Sequence, residues 1–199
     1  MKNKNYSEKL QSFLMNAVIP AGHKLTKDVE LDAIPESSKY EALVFGLDNK
    51  KVFYRKGNVT PDRPGAFLAV WQRPSSPPIN ENNPIPLTGD DLDYLFVQVQ
   101  EHSSLTRSDE AINNPKSGLF IFPVSELIKR GIVSCATKKG KTGFRVFPPW
   151  SQNRGLAGTK VFSESGKKTQ RWQLPYFVGI DEDGLINSCE LNKVFSPLK

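Results

Sequence analysis

Tyr40-Glu41-Ala42-Leu43-Val44-Phe45-Gly46-Leu47, Lys51-Val52-Phe53-Tyr54-Arg55-Lys56-Gly57-Asn58-Val59 and Ala66-Phe67-Leu68-Ala69-Val70-Trp71-Gln72-Arg73 are three strand-like runs in close succession. Each is rich in β-branched and aromatic residues and bounded by turn formers. Asp48-Asn49-Lys50 between the first two is hairpin chemistry, and residues 60–65 hold two prolines, so an antiparallel meander is the simplest topology. Beyond it, Pro74, Pro77, Pro78, Pro84 and Pro86 make residues 74–89 a loop, since proline removes ladder donors and breaks helices. Residues 94–100 and 118–122 read as a fourth and a fifth strand. Pro123 then opens a short helix through Arg130, with Gly131 placed as its left-handed cap. Residues 132–136 and 144–147 read as the arms of a hairpin whose tip is Lys138-Lys139-Gly140-Lys141-Thr142-Gly143. A helix over 167–174 and a strand over 176–180 follow, with a turn at 181–184. Before the meander, Tyr6, Leu10, Phe13, Leu14, Ala17 and Val18 recur at helical spacing and stop at Pro20, giving a helix that packs on one face of the sheet. Residues 22–39 read as a connection with a helical turn near 28–33. The sum is an α/β domain, a mixed sheet flanked by few, short helices.

The chain of 199 residues suits one domain. No apolar run approaches the ~20 residues of a membrane-spanning helix, and the N-terminal apolar stretch, interrupted at Asn16 and Pro20, is a poor signal peptide. The expected location is cytoplasmic, with no membrane partner. Cys135 and Cys189 form no disulfide framework and share no metal-ligand spacing with His23 or His102, so they are expected to be free and mostly buried thiols.

Charge is the distinctive feature. The net charge of +6 conceals a segment from 129 to 171 with eleven basic residues, Lys129, Arg130, Lys138, Lys139, Lys141, Arg145, Arg154, Lys160, Lys167, Lys168 and Arg171, and the single acid Glu164. The rest of the chain holds 16 basic and 20 acidic residues, a net −4. A field concentrated in this way attracts polyanions, because cations beside phosphates release condensed counterions. Phe144, Phe147, Trp150, Phe162 and Trp172 are interleaved with these cations. Each is either a stacking surface or, for the two tryptophans above all, a core residue.

Several tempting motifs fail. Gly140-Lys141-Thr142 would end a P-loop, but position 135 is Cys135 where the motif needs glycine, and a strand follows instead of a helix. His23 and His102 stand without a nucleophile in any signature. Asp90, Asp91 and Asp93 precede a strand, where capping explains them as simply as a cation site does. Asp181-Glu182-Asp183-Gly184 lacks calcium-loop spacing and reads as a turn.

A further set of strings carries a family resemblance. Tyr40-Glu41-Ala42 with Phe45, Arg55, Thr60-Pro61, Gly65, Phe67, Trp71 and Arg73 begins it. Gly118-Leu119-Phe120-Ile121-Phe122-Pro123 with Leu127 and Gly131-Ile132 continues it. Gly140 to Trp150, with its Gly-Phe-Arg-Val-Phe-Pro-Pro-Trp run, then Lys168-Thr169-Gln170-Arg171-Trp172-Gln173 and Tyr176-Phe177, are its most specific parts. Over about residues 40–178 the chain resembles the MepB family, small bacterial proteins whose first-named member is encoded beside a multidrug efflux pump and its repressor. The resemblance implies a restriction-endonuclease-like α/β fold and nucleic-acid binding. It divides the chain into an N-terminal helical extension packed on the domain (1–39), the MepB-like domain (40–180) and a C-terminal tail (181–199). The spacer over 151–166 is longer than the family pattern.

A nuclease of that fold would place an acid at one strand end and an acid-x-lysine element on the next strand, to bind magnesium and activate water. Asp62 suits the first acid. On the following strand Trp71 stands two positions before Arg73, so the second element is missing. Glu41, Asp91 or Asp93 would have to supply it. The favoured reading is therefore nucleic-acid binding without catalysis and without a cofactor. Lys138, Lys139 and Lys141 neutralise phosphates, and Arg145 makes a bidentate contact to phosphate or a contact to a base edge. Lys168, Gln170, Arg171 and Gln173 follow on one helix, with the two glutamine amides on one face. Arg55 and Arg73, from the resembling strings, complete the contact set. A magnesium-dependent nuclease is the alternative, and an efflux-associated accessory or protein-interaction module the second alternative.

Overall fold

The computed structural model describes residues 2–32, 41–60, 62–73, 83–101, 115–151 and 160–195, with side chains from residue 6 onward. Tyr40, Pro61, His102, Arg154 and residues 74–82 of the expected 74–89 loop lie outside the described residues.

Helix α1 (Lys2–Phe13) runs into a π-helical turn (Leu14–Val18) and a tight turn (Ile19–Ala21). Strands β1 (Leu25–Leu31), β2 (Leu43–Leu47), β3 (Lys50–Lys56), β4 (Asn58–Val59), β5 (Ala66–Ala69), β6 (Trp71–Gln72), β7 (Ile85–Pro86), β8 (Tyr94–Gln100) and β9 (Ser117–Pro123) follow, then α2 (Val124–Lys129), β10 (Gly143–Val146), α3 (Glu164–Gln173), β11 (Phe177–Ile180) and α4 (Ser188–Phe195). The main sheet has the order β1-β2-β3-β8-β9-β11. Every neighbouring pair in it is antiparallel except β3 with β8, so the sheet is mixed, as expected.

Strand alternation builds two cores. Along β9, Leu119 and Ile121 face one way and Phe120 and Phe122 the other, and all four are buried. The first face packs Phe45, Tyr54 and Phe96 under Leu10, Leu14 and Val18 of the N-terminal helical segment and Leu191 and Phe195 of α4. The second packs Leu95, Val97 and Phe122 under Leu68, Phe144 and Val146 of a smaller sheet and Leu127 of α2. A sheet covered on both faces explains why 94–99 and 118–122 are apolar at nearly every position.

Four expectations are corrected. The meander keeps its antiparallel pairings but is split between two sheets: β2 and β3 form a hairpin through Asp48 and Asn49, both at positive φ, and the end of the second run, β4, pairs antiparallel with β5 as expected, but β4 and β5 join β10 in a separate three-stranded sheet, order β10-β5-β4. Buried Ala66 and Leu68 flank the half-buried Phe67, a one-sided pattern that suits a covering layer, whereas the continuously apolar β8 takes the interior place beside β3. Residues 25–31, expected as part of a connection with a helical turn, form the edge strand β1, whose polar residues and two register shifts disguise its period of two. Residues 181–199, expected as a tail, include α4 with buried Leu191 and Phe195. Cys135 and Cys189 are free, as expected, but exposed rather than buried. Among the described residues no helix is long and apolar enough to cross a membrane.

Candidate functional site

The basic segment folds as a tight turn followed by a departing strand, not as a hairpin. Cys135 and Lys138 exchange backbone hydrogen bonds of 2.9 and 3.2 Å, the Lys141 amide donates to the Ile132 carbonyl at 2.9 Å, and the Gly140 amide donates to Ser134 Oγ at 2.9 Å. Gly140 lies so close to the backbone of 132–134 that a Cβ would sit 2.5 Å from the Ile132 carbonyl oxygen. The expected second arm pairs instead with β5, Arg145 opposite Phe67 and Gly143 opposite Ala69. Lys138, Lys139 and Lys141 are left exposed on the turn.

Helix α3 closes the other side. Ser163 caps it by accepting the Gly166 amide at 3.1 Å. The fully buried Gln173 side chain accepts the Phe147 amide at 2.9 Å and donates to the Arg145 carbonyl at 2.8 Å, while Gln170 donates to the Pro148 carbonyl at 3.0 Å. These amides pin α3 against β10 and the Pro148 turn. Gln170 and Gln173 do share one helix face, but that face holds the protein together, so neither amide is presented for nucleic-acid contact.

Between the turn, β10 and the start of α3 lies a groove of about 440 Å³. Arg130, Lys141 and Arg145 line it together with Ser163, Ser165, Gly166 and Thr169, and among the described residues no carboxylate does. Helix starts favour anions through unsatisfied amides and the helix dipole. Arg130 is ion-paired behind the groove with Glu126 at 2.6 Å and lies over the Trp172 ring at 4.9 Å. The Arg145 guanidinium donates to neutral oxygens, Thr60 Oγ1 at 2.6 Å and the Pro64 and Gly65 carbonyls at 3.3 and 3.4 Å. Desolvation, then the like charge of Arg63, lower its pKa, and Asp62 opposes them. A half-buried cation bonded in this way gains from an arriving anion. Arg145 and Phe144 also line a second groove of about 440 Å³, with Thr60, Asp62, Arg63 and Phe67.

Of the expected contact residues, Lys141 and Arg145 meet in one groove, and Lys138 and Lys139 stand on the turn that leads into it. Lys168 and Arg171 are exposed on α3. Arg73 is elsewhere, half-buried with its guanidinium 5.0 Å from the Trp71 ring centre on β6. Arg55 is corrected outright: only 2% exposed, it is paired with Asp32 at 2.5 Å and donates to the Tyr54 carbonyl at 2.9 Å, so it has no access to a phosphate. Trp150 and Trp172 pack against the second core. Sequence reasoning did not single out Arg63 or Thr169 for this place. Thr169 belongs to the Lys-Thr-Gln-Arg string, but nothing marks Arg63.

The acids needed by a nuclease stand apart in separate local roles. Asp62 holds Arg63 at 2.9 Å and Glu41 holds Lys56 at 3.0 Å. Asp91 accepts from the Thr88 amide and hydroxyl and from Gln72, and Asp93 accepts the Lys51 amide at 2.8 Å. Among the described residues no group of three or more His, Cys, Asp or Glu is placed to hold a metal ion.

Both grooves fall inside residues 35–179, the span matched by a family model described as MepB-like. The chain belongs to the MepB-like family. A solved structure described as "Crystal Structure of MepB" superposes with a TM-score of 0.60 at 28% sequence identity, covering 78% of this chain and 87% of that one. No curated protein matches. The MepB-like span holds β2 through all but the last residue of β11, while α1, β1 and α4 lie outside it.

Proposed function

We propose that the protein binds nucleic acid by seating phosphates in the groove between β10 and α3, without cleaving the strand. The observation that carries this reading is the meeting of Arg130, Lys141 and Arg145 with the start of a capped helix in a groove that, among the described residues, no carboxylate lines. Exposed Lys138, Lys139, Lys168 and Arg171 extend the positive surface on both sides. The restriction-endonuclease-like character implied by the resemblance enters only as a scaffold, a mixed sheet presenting the groove on its second face, and a cytoplasmic location accords with it. No cofactor is invoked. The separation of Asp62, Glu41, Asp91 and Asp93 favours binding over hydrolysis.

The test is a fluorescence-anisotropy titration of labelled single- and double-stranded DNA and RNA at two salt concentrations, with and without magnesium, the products then run on a denaturing gel. About four phosphate contacts give a log–log salt slope near −3 for a single strand, so about a 50-fold loss of affinity is expected for a four-fold rise in salt. Lys139→Glu combined with Lys141→Glu is expected to weaken binding more than about ten-fold, by removing two cations and adding two like charges to the path of the backbone, with the melting temperature unchanged. Salt-insensitive binding, or an inert double variant, contradicts the proposal. Magnesium-dependent strand scission overturns its second half.

A further inference from the structure

We infer that the cavity at the carboxyl ends of β3 and β8 is a site for a small monocarboxylate with an aromatic body. It lies on the first face of the main sheet, away from the β10–α3 groove, and the inference is independent of the phosphate-binding reading.

Strands β3 and β8 run parallel, with Tyr54 opposite Phe96 and Lys56 opposite Gln98. Tyr54 and Phe96 belong to the first core, so Lys56 and Gln98, two residues further along each strand, stand on that same face. There the face turns from apolar to polar. Helix α1 crosses it with Tyr6, Lys9, Leu10 and Phe13, whose spacing puts them on one side of the helix. Between helix and sheet lies a cavity of about 440 Å³, lined by these four and, from the other wall, by Glu41, Tyr54, Lys56 and Gln98. Crevices of a few hundred Å³ outside the carboxyl ends of parallel strands are common small-molecule sites.

The polar groups around the cavity divide into a closed pair and a set of open donors. Glu41 accepts from Lys56 Nζ at 3.0 Å. The Tyr54 hydroxyl donates to Gln98 Oε1, which fixes the carboxamide and leaves its amino group without a hydrogen-bond partner among the described residues. The exposed Lys9 ammonium and the Tyr6 hydroxyl have none among them either. Desolvation, then the Glu41 charge, raise the Tyr6 pKa, so this phenol stays a donor. Open donors call for an anion. Lys9 and Lys56 against Glu41 leave a surplus of one positive charge, which suits a carboxylate, whereas a phosphate dianion would set its second charge against Glu41. Leu10 and the half-buried rings of Tyr6 and Phe13 supply an apolar wall for the body of the ligand.

Isothermal titration calorimetry of the full chain at low salt compares naphthoate with the neutral naphthamide and the cationic naphthylmethylamine. Naphthoate is expected to bind roughly ten-fold more tightly than the amide, and the amine most weakly. Lys9→Ala is expected to weaken naphthoate by roughly two- to five-fold and to leave naphthamide unchanged. Gln98→Glu keeps an acceptor for the Tyr54 hydroxyl but puts a carboxylate oxygen in place of the amino donors, and is expected to abolish the preference for the acid. Lys139→Glu combined with Lys141→Glu is expected to leave that preference intact. Equal binding of the three compounds by the native protein, or no heat from naphthoate at millimolar concentration, overturns the site. A preference for the acid that Lys9→Ala and Gln98→Glu leave undiminished also overturns it, because the anion is then held elsewhere; its loss in the double lysine variant would assign it to the β10–α3 groove. The native comparison and Lys9→Ala, a change of one exposed side chain, decide even where Gln98→Glu impairs folding.

Discussion

Arg55→Ala is expected to lower the unfolding free energy by about 3–5 kcal/mol, the usual cost of removing one partner of a buried ion pair. The Arg55 and Asp32 side chains are only 3% and 11% exposed, and the same guanidinium also satisfies the Tyr54 carbonyl. Alanine leaves the Asp32 carboxylate out of water with no cation beside it. The pair also ties the end of the edge strand β1 to the interior strand β3, close to where the Asp32 amide meets the Ala42 carbonyl at 3.0 Å. Arg55→Lys is expected to recover only part of the loss, because a lysine does not reproduce the two-directional guanidinium contact. Arg55→Leu with Asp32→Leu is expected to be more stable than Arg55→Ala, since the double change removes the orphaned charge as well. Urea unfolding monitored by circular dichroism measures all three. A loss below about 1 kcal/mol for Arg55→Ala would mean that the arginine is solvated, and would reopen its place among the nucleic-acid contacts.

Gln173→Leu is expected to cost about 2–6 kcal/mol, because the Phe147 amide and the Arg145 carbonyl each lose their bonded side-chain partner, at roughly 1–3 kcal/mol for each buried group left unsatisfied. The substitution changes no charge in the groove, yet it releases the contact that sets α3 against β10. Weaker binding of a labelled single strand is therefore expected along with the loss of stability, at a temperature where the variant remains folded. Gln170→Ala, which removes one half-buried contact to Pro148, is expected to have a smaller effect on both. Thermal unfolding and anisotropy on the same samples provide the comparison. Unchanged stability in Gln173→Leu would contradict the role given to this amide.

These two residues also show where sequence reading succeeds and where it stops. The apolar runs at 94–100 and 118–122 announce interior strands, because burial on both faces leaves little room for polar residues. Pro123 and Gly131 mark the ends of α2 through backbone preferences that no tertiary contact overrides. Strand β1 is hidden, because an edge strand open to water keeps Lys27, Asp28 and Glu30 and buries almost nothing. The 132–147 region resembles a hairpin because hydrophobic periodicity identifies strands but not their partners, and β10 finds β5 from a distant part of the chain. Charge counting finds the neighbourhood of the groove but does not separate surface from interior. Arg55 and Gln173 have residue types common in nucleic-acid contacts, and only the packing reveals that one is an ion pair and the other a backbone clamp. Lys141 and Arg145 were legible because they sit in the dense basic run, whereas the row that joins Phe67 to Arg145 exists only once the register is known.

Amide hydrogen exchange of the full chain, measured with and without a saturating short single-stranded oligonucleotide, tests the central claim most directly. The account predicts slower exchange in β10, in the first turn of α3 and in the 135–141 turn, with α1 and α4 unchanged. Protection confined to the opposite face of the main sheet, at the groove of about 440 Å³ lined by Tyr6, Tyr54 and Lys56, would contradict it.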